Sequence, residues 1–226
     1  MFLSDALEQR GQVDAVYTDF CKAFDKVNHL ILKQKLTELG FFESIVSWLC
    51  SFVEGRTQKI KIGNFMSLQI KVPSGVPQGS HWGPILFTLF INDIVEHIKF
   101  SNCLLFADDL KIFKIITNRD DHQLIQRDLN GIDEWCTSNY LFLNIKKCSS
   151  ISFVRNKQPL HTQYYIGNER ICSVNEIKDL GVTFDSHLIF RKHITVICGK
   201  ARKAWGCLYR SAKDLNINTL KFYIPP

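Results

Sequence analysis

The stretch Phe106-Ala107-Asp108-Asp109 decides the fold, because it sets two adjacent carboxylates inside an otherwise apolar run that extends from Cys103 to Leu110. Two like charges among residues that belong in a core are costly unless a tight turn or a cation accommodates them. Taken alone, the pair would fit a strand–turn–strand unit with an acidic tip. A third carboxylate, Asp19, lies near the end of another apolar run, residues 15–20. If the two strands are neighbours, three carboxylates converge at one end of a sheet.

A convergence of carboxylates would repel itself without divalent cations. It suits two Mg²⁺ ions about 3.5–4 Å apart that clamp the attacking and leaving oxygens of a phosphoryl transfer. Oxygen ligands favour Mg²⁺, or Mn²⁺ as a substitute, over zinc. Between the acidic stretches lies Gly75-Val76-Pro77-Gln78-Gly79-Ser80, a turn whose residues let a backbone approach a ligand closely. Together with the basic charge of the chain, these features predict metal-assisted phosphoryl transfer on nucleic acid.

The composition is that of a globular protein with a local basic surface. The 226 residues suffice for one large domain, or for one domain and part of another, and 46% of them are hydrophobic. The net charge of +6 is compatible with a polyanionic partner but does not establish one. Residues 190–213 contain no acid and seven basic residues: Arg191, Lys192, Lys200, Arg202, Lys203, Arg210 and Lys213. The partner-facing charge is therefore expected in this segment.

The eight cysteines form no C-x-x-C pair and no zinc spacing, and several lie inside apolar runs. We therefore expect a reduced, intracellular protein, with neither nucleus nor cytoplasm favoured, and keep a cysteine-bound metal as the alternative. No apolar run reaches the length of a membrane span, and the first residues lack a signal-peptide pattern, so no membrane partner is expected.

Periodicity and turn residues predict an α+β fold. Strands are predicted at residues 13–20 and 150–154, and hairpins at 57–72 and 164–174. A further hairpin is predicted from a strand that ends at Phe106 and a strand from Leu110 to Ile116. Helices are predicted at residues 27–39, 43–54, 85–98, 120–140 and 190–211, the last with an apolar stripe from Ile194 to Leu208. This order favours an antiparallel sheet with helices packed on one face over a doubly wound parallel sheet.

Three motifs in register resemble one known family. Tyr17-Thr18-Asp19-Phe20-Cys21-Lys22-Ala23-Phe24-Asp25-Lys26-Val27-Asn28-His29, the 75–80 turn and Phe106-Ala107-Asp108-Asp109 are similar to the palm of jockey-like, non-LTR retrotransposon reverse transcriptases. The resemblance implies a right-hand polymerase palm over residues 1–185 and the start of a helical thumb over 186–226. It implies nucleotidyl transfer from deoxynucleoside triphosphates to a DNA primer on an RNA template.

The resemblance also assigns roles around the metals. Asp19 and Asp108 would hold both ions, with Asp109 in support and the Phe20 carbonyl as an extra ligand. Phe24 would lie under the incoming sugar and exclude a 2′-hydroxyl, although a plain core role is the alternative.

Other residues would contact the nucleotide or move its protons. Gln78 would contact the nucleotide, Gly79 would give its backbone room, and Ala107 would stay small against the primer. Lys147, in Leu143-Asn144-Ile145-Lys146-Lys147-Cys148, would protonate the leaving pyrophosphate, with a solvated surface lysine as the alternative.

Two later segments resemble nucleic-acid contacts of the family. Asp179-Leu180-Gly181-Val182 is similar to the hairpin that grips the primer, which gives Gly181 a binding role. The basic helix that follows would track phosphates through Lys200, Arg202 and Lys203. A solvated cationic face is the alternative for this helix.

The chain departs from the family pattern in several places. Trp82 stands where the family has a smaller apolar residue, and Cys21 where it often has serine. Only 18 residues precede Asp19, so we expect the fingers to be largely absent and the chain to be truncated at both ends. A partner supplying fingers or an endonuclease is left open. The rival functions are an inactive, nucleic-acid-binding polymerase remnant and a palm-type nucleotide cyclase, and the latter does not explain Val-Pro-Gln-Gly-Ser.

Overall fold

The structure is a computed structural model that describes residues 11–154 and 159–211. The chain divides into two compact units, Met1–Val174 and Asn175–Pro226. The predicted boundary between a palm ending at 185 and a thumb beginning at 186 stays a prediction. Within the described residues, none of the helices combines the length and the hydrophobicity needed to span a bilayer.

The first unit contains these elements up to the acidic hairpin: β1 (Gln12–Thr18), α1 (Ala23–Lys26), α2 (His29–Glu38), α3 (Glu43–Val53), β2 (Thr57–Gln58), β3 (Lys61–Ile62), β4 (Phe65–Met66), β5 (Ile70–Lys71), α4 (Trp82–Ile91), a 3-10 helix (Asn92–His97), β6 (Asn102–Phe106) and β7 (Asp109–Ile116). It continues with α5 (Arg119–Asn139), β8 (Ser149–Val154), β9 (Tyr165–Ile166), β10 (Glu169–Arg170) and β11 (Cys172–Ser173). The second unit contains β12 (Glu176–Asp179), β13 (Val182–Asp185) and α6 (Arg191–Ser211).

The central sheet of the first unit has five strands in the order β11-β8-β1-β7-β6. Strand β1 lies in the middle and pairs antiparallel with β7 and with β8, and only the short β11 runs parallel to its neighbour. Six of the seven β1 residues are buried, as expected for a strand covered on both sides. The predicted antiparallel sheet is thus confirmed.

The helices begin and end where local chemistry requires. The Asn28 side chain accepts hydrogen bonds from the backbone of Leu30 and Ile31 and so caps α2. The predicted helix 27–39 thus corresponds to α2, and α1 precedes it as a separate short helix that the sequence did not predict. A capping box of Asn118 and Asp121 opens α5.

One hydrophobic cluster joins the sheet to the helices. Strand residues Val16, Leu110 and Ile112 belong to the same buried cluster as residues of α2, α4 and α5, which include Leu32, Leu36, Leu86, Phe87, Phe90, Leu129, Ile132 and Trp135. Because Val16, Leu110 and Ile112 lie on one face of their strands, this face is the one that the helices cover. The core thereby fixes the sheet end that carries the acidic residues.

The second unit consists of the β12–β13 hairpin and a 21-residue helix. The predicted basic helix is confirmed, but none of its residues is buried. Its apolar stripe is also exposed: Ile194, Ile197, Trp205 and Leu208 are 52%, 44%, 68% and 64% accessible.

Candidate active site

The acidic residues lie at one end of two paired strands. Thr18, the last residue of β1, is opposite Leu110 of β7, so Asp19 and Asp109 are each one residue beyond this pair at the same sheet end. Asp108 is the second residue of the tight turn that joins β6 to β7, between the paired residues Phe106 and Asp109. The sequence predicted the hairpin, and the β1–β7 pairing meets the condition under which the carboxylates converge.

Asp19 is held by the segment that follows α5. Its backbone oxygen accepts a hydrogen bond of 2.7 Å from the Asn144 N–H, and the next residue, Phe20, forms a β-bridge with Leu143. The Phe20 side chain is buried and packs edge-on against Trp135, with ring centroids 6.4 Å apart. The backbone around Asp19 is therefore fixed from the side opposite to β7.

The Lys147 ammonium pairs with Asp19. Its Nζ lies 3.3 Å from Oδ1 and 3.5 Å from Oδ2 of the carboxylate. The Lys147 side chain is 64% exposed and that of Asp19 is 34% exposed. Oδ1 of Asp19 is nevertheless buried and has no partner at hydrogen-bond geometry. The carboxylate is thus neutralised by a solvated cation while one of its oxygens is left without a hydrogen bond.

The acidic residues fit divalent cations in part. Among the described residues, no three His, Cys, Asp or Glu side chains are gathered closely enough to hold a metal ion. The donor chemistry does fit, because carboxylate oxygens are the ligands that Mg²⁺ prefers. Oδ1 of Asp19, buried and without a hydrogen bond, fits as well, although the Lys147 ammonium at 3.3 Å already places a positive charge beside it.

Phe24 is half-buried and stacks on Phe87 of α4, with centroids 4.4 Å apart and ring planes at 24°. This contact gives Phe24 a packing role in addition to its predicted place under a sugar. Gln78 and Gly79 are exposed, and the Gln78 amide donates to the Asp25 carboxylate at 3.1 Å. Two of the residues predicted to contact a nucleotide therefore belong to segments that touch each other.

Two small residues of the site have a backbone reason for their size. Ala107 has φ of 52° and is exposed, so the left-handed turn conformation by itself favours a small or glycine-like residue there. Gly79 has φ of 81°, and an added Cβ would meet nothing within 4 Å. At both positions the space beside the backbone is open to a ligand.

The predicted nucleic-acid-binding residues all belong to the second unit. Gly181 is exposed in the turn of the β12–β13 hairpin, and Lys200, Arg202 and Lys203 are exposed on α6. None of these three cations carries a described ion pair or hydrogen bond in the second unit's described part, residues 175–211.

Sequence reasoning missed two residues that organise the 75–80 turn. The His29 ring and the Arg56 guanidinium both bond the carbonyl oxygen of Gly75. His29 ends the first motif quoted above and Arg56 lies three residues beyond α3, and neither position by itself indicates a bond to Gly75.

Comparison with solved structures defines the fold class. The chain superposes on apo telomerase from Candida tropicalis, truncated from its C-terminal domain, with a TM-score of 0.59 at 16% identity over 82% of this chain and 36% of that chain. Telomerase from the same organism in complex with a TWJ fragment of telomeric RNA superposes with a TM-score of 0.57 at 15% identity. This match covers 82% of this chain and 31% of that chain. The architecture is that of a right-hand polymerase.

Sequence comparison defines the family. Residues 4–184 match the family described as Reverse transcriptase (RNA-dependent DNA polymerase), and the chain belongs to it. Two relatives are from Drosophila melanogaster. A probable RNA-directed DNA polymerase from transposon X-element is 28% identical over 96% of this chain. An RNA-directed DNA polymerase from mobile element jockey is 26% identical over 100% of this chain. The chain spans about a quarter of the length of these relatives, 25% and 26%. The non-LTR retrotransposon resemblance is confirmed.

Proposed function

We propose that this chain is the palm of an RNA-directed DNA polymerase, which transfers deoxynucleotides to the 3′-hydroxyl of a DNA primer on an RNA template. The pairing of β1 with β7 carries the proposal, because it sets Asp19 and the Asp108–Asp109 pair at one end of neighbouring strands. The names of the relatives, RNA-directed DNA polymerases that match along almost the whole chain, support it.

Two Mg²⁺ ions, with Mn²⁺ as a substitute, would supply activation of the attacking hydroxyl and neutralisation of the phosphate charge. Asp19 and Asp108 would hold both ions, supported by Asp109 and the Phe20 carbonyl. The orphaned Oδ1 of Asp19 is the structural feature that supports this ligand set.

The other residues would orient the substrates and move one proton. Phe24 would bear on the sugar, Gln78 would bond the nucleotide, and Gly79 and Ala107 would leave room for nucleotide and primer. Lys147 would hold the proton that the leaving pyrophosphate takes, and its ammonium already lies beside Asp19. Base pairing, not the protein, would read the template. Catalysis would thus depend on positioning and on charge.

Extension of a DNA primer on an RNA template with Mg²⁺ tests the proposal. We expect Asp108→Asn to lower extension by at least about 100-fold, as removal of an electrostatic contact to the transition state does. Glu169→Gln, a neutralised exposed carboxylate of the β9–β10 hairpin, should leave it unchanged. Equal signals from wild type and Asp108→Asn would reject the polymerase assignment for this chain.

A second candidate function is nucleic-acid binding without catalysis. The exposure of every lysine and arginine of α6 favours it, since such a helix presents an acid-free basic surface to solvent. This function predicts salt-sensitive RNA binding that survives Asp108→Asn. Loss of binding in that variant would count against it.

A further inference from the structure

The backbone oxygen of Gly75 accepts hydrogen bonds from two side chains, those of His29 and Arg56. The Nε2 atom of His29, at the start of α2, lies 2.8 Å from the Gly75 oxygen. Because a carbonyl oxygen only accepts, Nε2 must carry the hydrogen of this bond. Nη2 of Arg56 donates to the same oxygen and also to the Ser74 oxygen at 3.2 Å. His29 is buried and Arg56 is half-buried, so water competes little for these bonds.

Arg56 is itself anchored. Its Nε donates to the Val53 oxygen at 2.7 Å, which ties the guanidinium to the last turn of α3. Burial lowers the pKa of Arg56, and the negative charge of Asp25 opposes that effect. The Arg56 side chain therefore connects the end of α3 to the backbone of residues 74 and 75 through hydrogen bonds at both ends.

The backbone at residue 75 also lies directly on the segment that carries Phe24. The Gly75 N–H donates to the Val27 oxygen and the Val76 N–H to the Phe24 oxygen, both at 2.8 Å. Gly75 has φ of 83°, and an added Cβ would come within 2.7 Å of the Asp25 backbone. No side chain fits there without moving one of the two segments.

Gln78 lies three residues beyond this contact, and only an exposed bond to Asp25 attaches it to the 24–27 segment. An exposed hydrogen bond between side chains adds little to stability, whereas bonds from a charged, half-buried group contribute more. The backbone bonds of Gly75 and Val76, together with the Ser74 hydroxyl that donates to the Asp25 oxygen at 2.8 Å, therefore hold the turn against the 24–27 segment more firmly than Gln78 does.

We infer that Arg56 and His29 are positioning residues of the nucleotide site: by holding the Gly75 carbonyl they fix the Gln78 turn against the segment that bears Phe24. The inference rests on the proposed function, because it takes Gln78 and Phe24 as the residues that contact the nucleotide. Neither Arg56 nor His29 needs to touch a substrate to act in this way.

The bonds of His29 and Arg56 to the Gly75 oxygen are called the clamp below. Hydrogen–deuterium exchange tests the clamp without any substrate. In Arg56→Lys, which keeps a cation but loses the planar fork, we expect the Gly75 and Val76 amides to exchange about tenfold faster. His29→Phe should have the same effect, and His29→Gln, which restores an N–H donor, should reverse it. The amides of β1 should stay protected in all variants, which reports that the fold is intact. Arg170→Lys, at an exposed arginine, is the matched control. Unchanged exchange at Gly75 and Val76 would overturn the clamp.

Nucleotide binding tests the consequence. In the presence of Mn²⁺, we expect Arg56→Lys and His29→Phe to bind dTTP about fivefold more weakly and to lose part of the preference for dTTP over UTP. A purely structural role would lower the melting temperature and leave that preference as in wild type, and this result would overturn the positioning role. If the wild type binds no nucleotide, the proposed function fails and the positioning role with it, while the exchange data still decide whether the clamp exists.

Discussion

The Lys147 ammonium lies 3.3 Å from Oδ1 of Asp19, at the place where a divalent cation would neutralise the same carboxylate. The two residues are 128 positions apart in the sequence. They meet because the segment after α5 forms a bridge with Phe20 and then turns back, with the Lys147 N–H bonded to the Asn144 oxygen. A metal ion held by Asp19, as proposed, would therefore compete with Lys147 for one carboxylate.

Removal of this lysine should strengthen metal binding. For Lys147→Met, we expect Mn²⁺ affinity to rise about fivefold, since a unit charge at 4 Å contributes about 1 kcal/mol in water. Isothermal calorimetry with Mn²⁺ measures it, and Asp19→Asn should abolish the signal. If Lys147 also protonates pyrophosphate, primer extension should fall in the same variant, so that affinity and activity move in opposite directions.

Lys146→Met is the matched control for this experiment, because Lys146 is an adjacent, exposed lysine with no described ion pair in residues 11–154. It removes the same charge from the same loop. An equal rise in Mn²⁺ affinity in both variants would show a general charge effect and contradict a direct competition.

Phe24 should limit both ribonucleotide use and stability. Phe24→Ala removes the ring predicted to exclude a 2′-hydroxyl, so we expect UTP to be accepted nearly as well as dTTP. The same change removes the stack on Phe87 and should cost about 2 kcal/mol in the free energy of unfolding. Competition between dTTP and UTP and urea denaturation measure the two effects.

Phe87→Leu separates the two roles of Phe24. It loses the same stack from the fully buried side but keeps the Phe24 ring. We expect a similar loss of stability with the preference for dTTP retained. If both variants lose the preference, Phe24 acts only through packing, and the core interpretation of this residue is the right one.

Local patterns predicted the elements of the site better than its contacts. The ends of β1 and β6 followed from apolar runs that stop at carboxylates, and the predicted ends of helices 27–39 and 43–54 lie within one residue of the observed ends, Glu38 and Val53. No local pattern marks Asp14, a buried carboxylate on β1 that accepts hydrogen bonds of 2.7 Å from Gln12 and from the Tyr164 hydroxyl, 150 positions away. The hydrogen bonds of His29 and Arg56 to Gly75 also have no local pattern in the sequence, because their acceptor is a backbone oxygen.

Patterns of hydrophobicity also do not tell whether a surface is covered. The stripe Ile194, Ile197, Trp205 and Leu208 has helical spacing typical of a packed face, yet these residues are exposed on α6. Periodicity reports which residues share a face of a helix and not whether a partner lies against that face.

The buried thiol of Cys148 should make the fold sensitive to alkali. Burial is the main cause that raises the pKa of Cys148 from 9.0 to about 11. Because the folded-state pKa lies above the unfolded one, the contribution to stability is complete below pH 9 and is lost as the pH rises towards 11. Between pH 7.5 and pH 10 we expect this thiol to reduce the free energy of unfolding by on the order of 1 kcal/mol.

Urea denaturation at both pH values, in wild type and Cys148→Ala, measures this loss. The variant should be less stable at pH 7.5 but should lose less stability at pH 10, and titration of other groups cancels in the comparison. Cys172→Ala, at an exposed cysteine, should behave as wild type. An identical pH dependence in wild type and Cys148→Ala would contradict a raised pKa.

The basic helix should determine how RNA binding depends on salt. Arg202 and Lys203 are exposed neighbours on α6, and if each contacts a phosphate, the double variant Arg202→Ala/Lys203→Ala should reduce the slope of log affinity against log salt by about 1.5. Fluorescence anisotropy with a labelled single-stranded RNA, at KCl concentrations from about 50 to 200 mM, measures this slope. Over that range, two phosphate contacts should change the affinity by roughly tenfold. Lys33→Ala/Arg170→Ala removes the same charge from exposed sites of the first unit and should weaken binding without changing the slope as much. Equal slopes in the two double variants would mean that net charge, and not α6, attracts the RNA.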